Sequence, residues 1–129
     1  MNDSQLELSI VIPCLNEEDT VGLCIDKAFS NLKKLKITGE VILSDNGSFD
    51  NSVSIAQTKG AKIVNVKNKG YGAALKAGIE KSKGKYILFA DADNSYDFNQ
   101  IDKFYEELKK GNDLVQGCRL ESGGGKIEK

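Results

Sequence analysis

Short apolar runs alternate with helical periods along most of this chain. Leu8-Ser9-Ile10-Val11-Ile12 is a β-branched run stopped by Pro13, which predicts a buried strand. Val21, Ile25, Ala28, Leu32 and Leu35 then recur at steps of three and four, the stripe of an amphipathic helix. Asn16 is placed to cap that helix, with Glu17, Glu18 and Asp19 in a first turn where the macrodipole favours anions. Gly39 breaks the period before a second strand, Glu40-Val41-Ile42-Leu43-Ser44. The rhythm repeats through the turn Asp45-Asn46-Gly47-Ser48, a short helix over Ser52–Lys59 capped by Asp50, a stop at Gly60 and a third strand, Ala61–Val66. Asn68-Lys69-Gly70-Tyr71-Gly72 leads into a helix through Leu75, Gly78, Ile79 and Ser82, and Lys85–Ala90 is the fourth and most apolar strand. Asp97 and Gln100 form a capping-box pair ahead of a helix with the stripe Ile101, Phe104, Tyr105 and Leu108. Asp113–Cys118 suits a fifth strand.

Strand–helix alternation with near-continuous apolar strands predicts an α/β fold, a mostly parallel sheet covered by helices on both faces in a three-layer sandwich. The 129 residues suit one domain over residues 1–121, followed by a glycine-rich tail, 122–129, expected to fray. Hydrophobic residues at 40% and charged ones at 29% exclude general disorder. No apolar run approaches the roughly 20 residues that span a bilayer. The opening MNDSQLEL has no basic segment ahead of an apolar core, so a secretory signal is not expected and a cytoplasmic location is. With 18 Lys+Arg against 19 Asp+Glu, the net charge of −1 argues against charge-driven nucleic-acid binding.

The absence of histidine removes Ser-His and Cys-His catalysis and every zinc site built on imidazole. Cys14, Cys24 and Cys118 are odd in number and lack a C-x-x-C pairing, which fits structural thiols in a reducing compartment. Cys14 has no histidine to activate it as a nucleophile. Carboxylates, amides, lysines and the backbone remain to do the chemistry.

In parallel sheets ligands bind beyond the carboxyl ends of the strands. The polar stretches Pro13–Glu17, Asp45–Ser48, Asn68–Gly72 and Asp91–Asn94 follow the four strands and converge on one edge. Asp91-Ala92-Asp93 is the sharpest element. On an extended segment its two carboxylates share a side, roughly 7 Å apart or less, and suit a hard cation such as Mg2+ or Mn2+. As strand-end and turn residues they also have an ordinary structural reading. Gly70-Tyr71-Gly72 is a poor dinucleotide fingerprint, because Leu75 holds the sixth position and the loop follows the third strand. It is either a tight turn or a place where backbone approaches a nucleotide or its phosphates. Asp45 and Asn46 either form an Asx turn or accept from a base or ribose. Glu17 is either helix-start electrostatics or part of a site, and Lys67 and Lys69 are either solvated or phosphate-facing.

Taken together, Ser9–Glu18, Val41–Ser48 with Asp50, Asn68–Ala74 and Gly84–Asp93 resemble the family 2 glycosyltransferases, which have the Rossmann-like GT-A fold. The resemblance runs from about residue 7 to residue 119. It implies that Pro13, Asn16 and Glu17 line a nucleoside pocket, that Asp45 and Asn46 meet the base and ribose, and that Gly70 and Gly72 lie near the nucleotide. It also implies that Asp91 approaches the ribose or the metal shell, and that Asp93 ligates Mg2+ or Mn2+ on the diphosphate of a UDP- or GDP-linked sugar. Many relatives have Asp where Asn46 stands, and an amide adds donors and loses charge. The run Asp91–Phe98 looks closest to dolichyl-phosphate sugar synthases, which implies a polyprenyl-phosphate acceptor and a place at the cytoplasmic face of a membrane.

Catalytic domains of the family are usually longer than this chain. The expectation is therefore the nucleotide-binding half of such an enzyme, with no catalytic base assigned and the acceptor half without counterpart. An edge left open beside the fourth strand would then favour self-association. A non-catalytic nucleotide-binding or interaction module is the competing reading. A nucleotidyltransferase is disfavoured because Pro13-Cys14-Leu15-Asn16-Glu17 replaces a basic glycine loop.

Overall fold

The apolar runs become four strands and the periodic stretches four helices in the computed structural model, which describes residues 6–93 and 101–110. In chain order these are β1 (Leu6–Cys14), α1 (Val21–Leu35), β2 (Gly39–Asp45), α2 (Ser52–Thr58), β3 (Lys62–Asn65), α3 (Tyr71–Lys81), β4 (Gly84–Phe89) and α4 (Ile101–Lys109). The strands form one sheet in the order β3-β2-β1-β4, and every pairing is parallel. Ile10 of β1 stands between Val41 of β2 and Leu88 of β4.

The strand order fixes where a ligand can enter. From β1 the chain steps to β2 and β3 on one side, then crosses back to lay β4 on the other side of β1. Right-handed crossovers put α1 and α2 on one face and α3 on the opposite face. In agreement, α1 packs on α2, β2 and α4, and α3 on β1, β2 and β3. The strand order reverses between β1 and β4, and in open parallel sheets ligands bind at the carboxyl ends beside such a reversal.

Several local expectations are corrected. Asn16 does not cap α1. It adopts a left-handed conformation (φ 53°), and Val21 and Thr20 both donate backbone N–H to the Glu17 carbonyl, so a turn precedes the helix. Glu17, Glu18 and Asp19 therefore lie ahead of its first turn, which has no acidic residue. Asn51, not Asp50, stands at the N-cap of α2 and makes no side-chain capping bond, while Asp50 one residue earlier accepts from the Ser52 backbone N–H (3.0 Å) and hydroxyl (2.6 Å). Tyr71 rather than a later residue starts α3, which leaves Gly72 inside the helix. The most apolar strand is not the most buried: β4 is at an edge of the described sheet and largely half-buried, whereas β1 is buried from Leu8 onward. Neighbours on both sides bury a strand, and β4 has one. The Asp97–Gln100 pair, the Asp113–Cys118 strand and the tail 122–129 lie outside the described residues.

Candidate nucleotide site

Two loops at the carboxyl edge are stitched together before any ligand enters. The backbone N–H groups of Asn16, Glu17 and Glu18 donate to Ser48 Oγ (2.8 Å), Ser52 Oγ (2.8 Å) and Asp50 Oδ2 (3.1 Å). In return Asn16 Oδ1 accepts from Phe49 N–H (2.7 Å) and Asp50 N–H (3.4 Å), and Glu18 Oε1 accepts from Asn51 N–H (3.0 Å). The alternation Ser48, Asp50, Ser52 thus supplies short acceptors to a loop that would otherwise have unpaired donors. Asp45 is buried, and its carboxylate accepts from Gly47 N–H, Ser48 N–H and Ser48 Oγ–H, the last at 2.6 Å. The Asx-turn reading of Asp45 is the one its contacts support.

A cleft of about 450 Å³ opens at the β1/β4 switch point. Pro13, Cys14, Leu15 and Glu17 line it from the β1 side, Asn46 from the β2 turn, Lys69 to Tyr71 and Ala74 from the glycine loop and α3, and Asp91 to Asp93 from the β4 side. Of the sequence-derived candidates, Pro13, Glu17, Asn46, Gly70, Asp91 and Asp93 are brought together. Asn16, Asp45 and Gly72 do not line the cleft, and neither does Lys67. Asp91-Ala92-Asp93 is a turn rather than an extended segment, since β4 ends at Phe89. Both carboxylates nonetheless border the same space. Gly70 needs its residue type, with φ 116° at the start of α3, while a Cβ at Gly72 would meet nothing within 4 Å.

The electrostatics are those of gathered acids. Burial pushes the Glu17 carboxyl up, and the charges of Asp93, Asp50 and Asp91 add to the shift. Opposite charge is therefore favoured at this end of the cleft. Burial also pushes the Cys14 thiol up, with the Asp45 charge acting the same way, so Cys14 is a wall and not a nucleophile.

Two side chains that the sequence did not single out hold the Asp91 turn. Tyr71 donates its hydroxyl to Asp91 Oδ1 (3.1 Å), and Thr20 donates its own to the Ala92 carbonyl (2.6 Å). Thr20 stands at the start of α1 without capping it, because its hydroxyl reaches across to the far turn. No local pattern signals a contact between residues 72 positions apart.

The family model for glycosyl transferase family 2 matches residues 9–129. The chain belongs to the family 2 glycosyltransferases. It is 38% identical over 115 residues to a low-salt glycan biosynthesis hexosyltransferase of Haloferax volcanii, a match covering 88% of this chain and 28% of that protein. It is also 38% identical over 122 residues to the dolichyl-phosphate beta-glucosyltransferase of Homo sapiens, covering 84% of this chain and 36% of the relative. Among solved structures, a glucosyl-3-phosphoglycerate synthase from Mycobacterium tuberculosis in complex with Mn2+, uridine diphosphate and glucosyl-3-phosphoglycerate superposes with a TM-score of 0.70 at 27% identity. That superposition covers 83% of this chain and 41% of the synthase. The architecture is thus GT-A, and the chain spans well under half of each of these proteins. Among the described residues no helix is long and apolar enough to cross a membrane.

Proposed function

We propose that this chain is the nucleotide-sugar half of a glycosyltransferase, binding a nucleoside diphosphate sugar and a divalent cation in the β1/β4 cleft. The observation that carries the reading is the convergence of Glu17, Asn46, Lys69, Asp91 and Asp93, from four separate connections, on one cleft at the switch point. Pro13 and Leu15 give that cleft an apolar wall suited to a base, and Lys69 brings a cation suited to phosphates.

The donor set fits Mg2+ or Mn2+. No group of three His, Cys, Asp or Glu side chains poised for a metal occurs among the described residues. These cations, however, are commonly held by one or two carboxylates together with substrate phosphates. Asp93 and Asp91 would supply those carboxylates, with Tyr71 orienting Asp91. When bound, the cation would act as Lewis acid and template for the departing diphosphate. Asn16 and Asp45 serve the reaction by holding the two loops in place, and Gly72 has no assigned contact with the ligand.

A UDP-linked donor is favoured by the solved synthase that binds uridine diphosphate with Mn2+. A polyprenyl-phosphate acceptor is favoured by the name of the human relative. In the transfer, the bond from the sugar's anomeric carbon to the diphosphate oxygen breaks and a bond to the acceptor oxygen forms. No residue described in this chain is assigned as the base.

Calorimetric titration of UDP and GDP, with and without Mn2+, tests the reading. Binding should require Mn2+, and Asp93→Ala should weaken it at least about tenfold, the loss of a charged ligand to the cation. Equal affinity in wild type and Asp93→Ala would sink the proposal. Binding without any sugar transfer would leave a nucleotide-binding module.

A further inference from the structure

Asn46 begins its turn on a fixed base, with its backbone N–H donated to the Cys14 carbonyl at 2.9 Å. From there its side chain reaches across to the loop between β3 and α3. Nδ2 donates to the Asn68 carbonyl at 2.9 Å, and Oδ1 accepts from the Gly70 N–H at 2.8 Å. The loop thus presents one acceptor and one donor two residues apart, and a primary amide matches both. A carboxylate cannot, because it has acceptors only and would set negative oxygen against the Asn68 carbonyl.

We propose that Asn46 is a positioning residue of this site, whose amide clamps the Asn68–Gly70 loop and does not read the nucleotide base. This rests on the nucleotide reading above and changes the role expected for Asn46 within it. The clamp fixes Lys69 and Gly70, both of which line the cleft. It also fixes the start of α3, and hence Tyr71, whose hydroxyl holds Asp91. A chain of contacts therefore runs from the β2 turn through the glycine loop to the acidic turn after β4. One N–H and one lone pair of the amide remain after these bonds, and the clamp fixes the direction in which they point.

A base-free probe separates positioning from base reading. Mn2+ with inorganic pyrophosphate, Mn2+ with UDP and Mn2+ with GDP are titrated into the wild-type chain, Asn46→Asp and Asn46→Ala. Hydrogen exchange of the Gly70 amide is followed by NMR in the absence of ligand. Both variants should weaken all three ligands by a similar factor, about tenfold, as expected for losing one or two hydrogen bonds and the order they impose. The UDP-to-GDP ratio should stay constant, and the Gly70 amide should lose protection by several-fold in Asn46→Ala, which removes its acceptor. Unchanged pyrophosphate affinity together with an altered UDP-to-GDP ratio would overturn the proposal and make Asn46 a base reader. If the wild-type chain binds none of the three probes, the nucleotide reading fails. The clamp is then judged by Gly70 exchange alone, and unchanged protection in Asn46→Ala overturns it.

Discussion

Gly78→Ala is expected to destabilise the chain by about 2 kcal/mol or more, although alanine is the better helix former by roughly 1 kcal/mol. A Cβ at this position would lie 2.4 Å from Val11 Cγ1 and 2.6 Å from Ser44 Oγ. Both neighbours are fully buried, on β1 and β2. Their strands are tied on both sides by the parallel ladder and cannot withdraw without breaking it, so α3 must lift away. That displacement would carry Gly70 and Tyr71 with the helix, so the cleft should suffer along with the fold. Gly72→Ala in the same helix is the control, since its Cβ would meet nothing, and it should be neutral or slightly stabilising. Chemical denaturation of the two variants checks this, and a Gly78→Ala chain as stable as wild type would contradict the packing described.

Glu40→Ala should cost about 3 kcal/mol at neutral pH. The Glu40 side chain is 5% exposed and binds three elements at the edge of the sheet opposite the cleft. It accepts from Ser9 Oγ–H (2.5 Å) on β1, from the Lys62 ammonium (2.6 Å) on β3 and from the Lys83 backbone N–H (2.6 Å) ahead of β4. Alanine would strand the Ser9 hydroxyl and the Lys83 N–H, while Lys62, about half exposed, could return to water. Burial alone would raise the Glu40 carboxyl, but the bonds from Lys62, Ser9 and Lys83 outweigh it and hold the carboxyl below its ordinary 4.5. A depressed folded value means that this stabilisation is fully present above the ordinary value and is lost as pH falls through the lower one. The stability gap between wild type and Glu40→Ala should therefore be constant near neutrality and narrow below about pH 4.5. Denaturation curves at several pH values measure it, and a pH-independent gap would contradict the assigned bonds.

How much of this was legible in the sequence depended on how local the cause was. β-Branched runs and the 21-25-28-32-35 stripe are local, and they located β1, β2 and α1. The start of α1 was misplaced because Asn16 is recruited by Phe49 and Asp50, donors more than 30 residues away, and not by its own helix. The acidic turn was found as a motif but misjudged in shape, since alternation along a strand assumes that the strand continues past Phe89. Asp45 and Asn16, expected from the sequence to meet a ligand, accept from loop N–H groups in the structure. A capping or turn acceptor and a ligand contact carry the same residue signature, and only the partner distinguishes them. Tyr71 and Thr20 were overlooked because their partners, Asp91 and the Ala92 carbonyl, are set by the β1/β4 crossing.

The most direct test of a metal–nucleotide site at the switch point is paramagnetic. Adding Mn2+ with UDP to the isotope-labelled chain should broaden the backbone amides of Asp91, Ala92 and Asp93 first, then those of Glu17 and Gly70. The amides of Gly39, Glu40 and Lys62, at the opposite ends of their strands, should stay sharp. Broadening centred on that opposite edge, or none at the Asp91–Asp93 turn, would contradict the account.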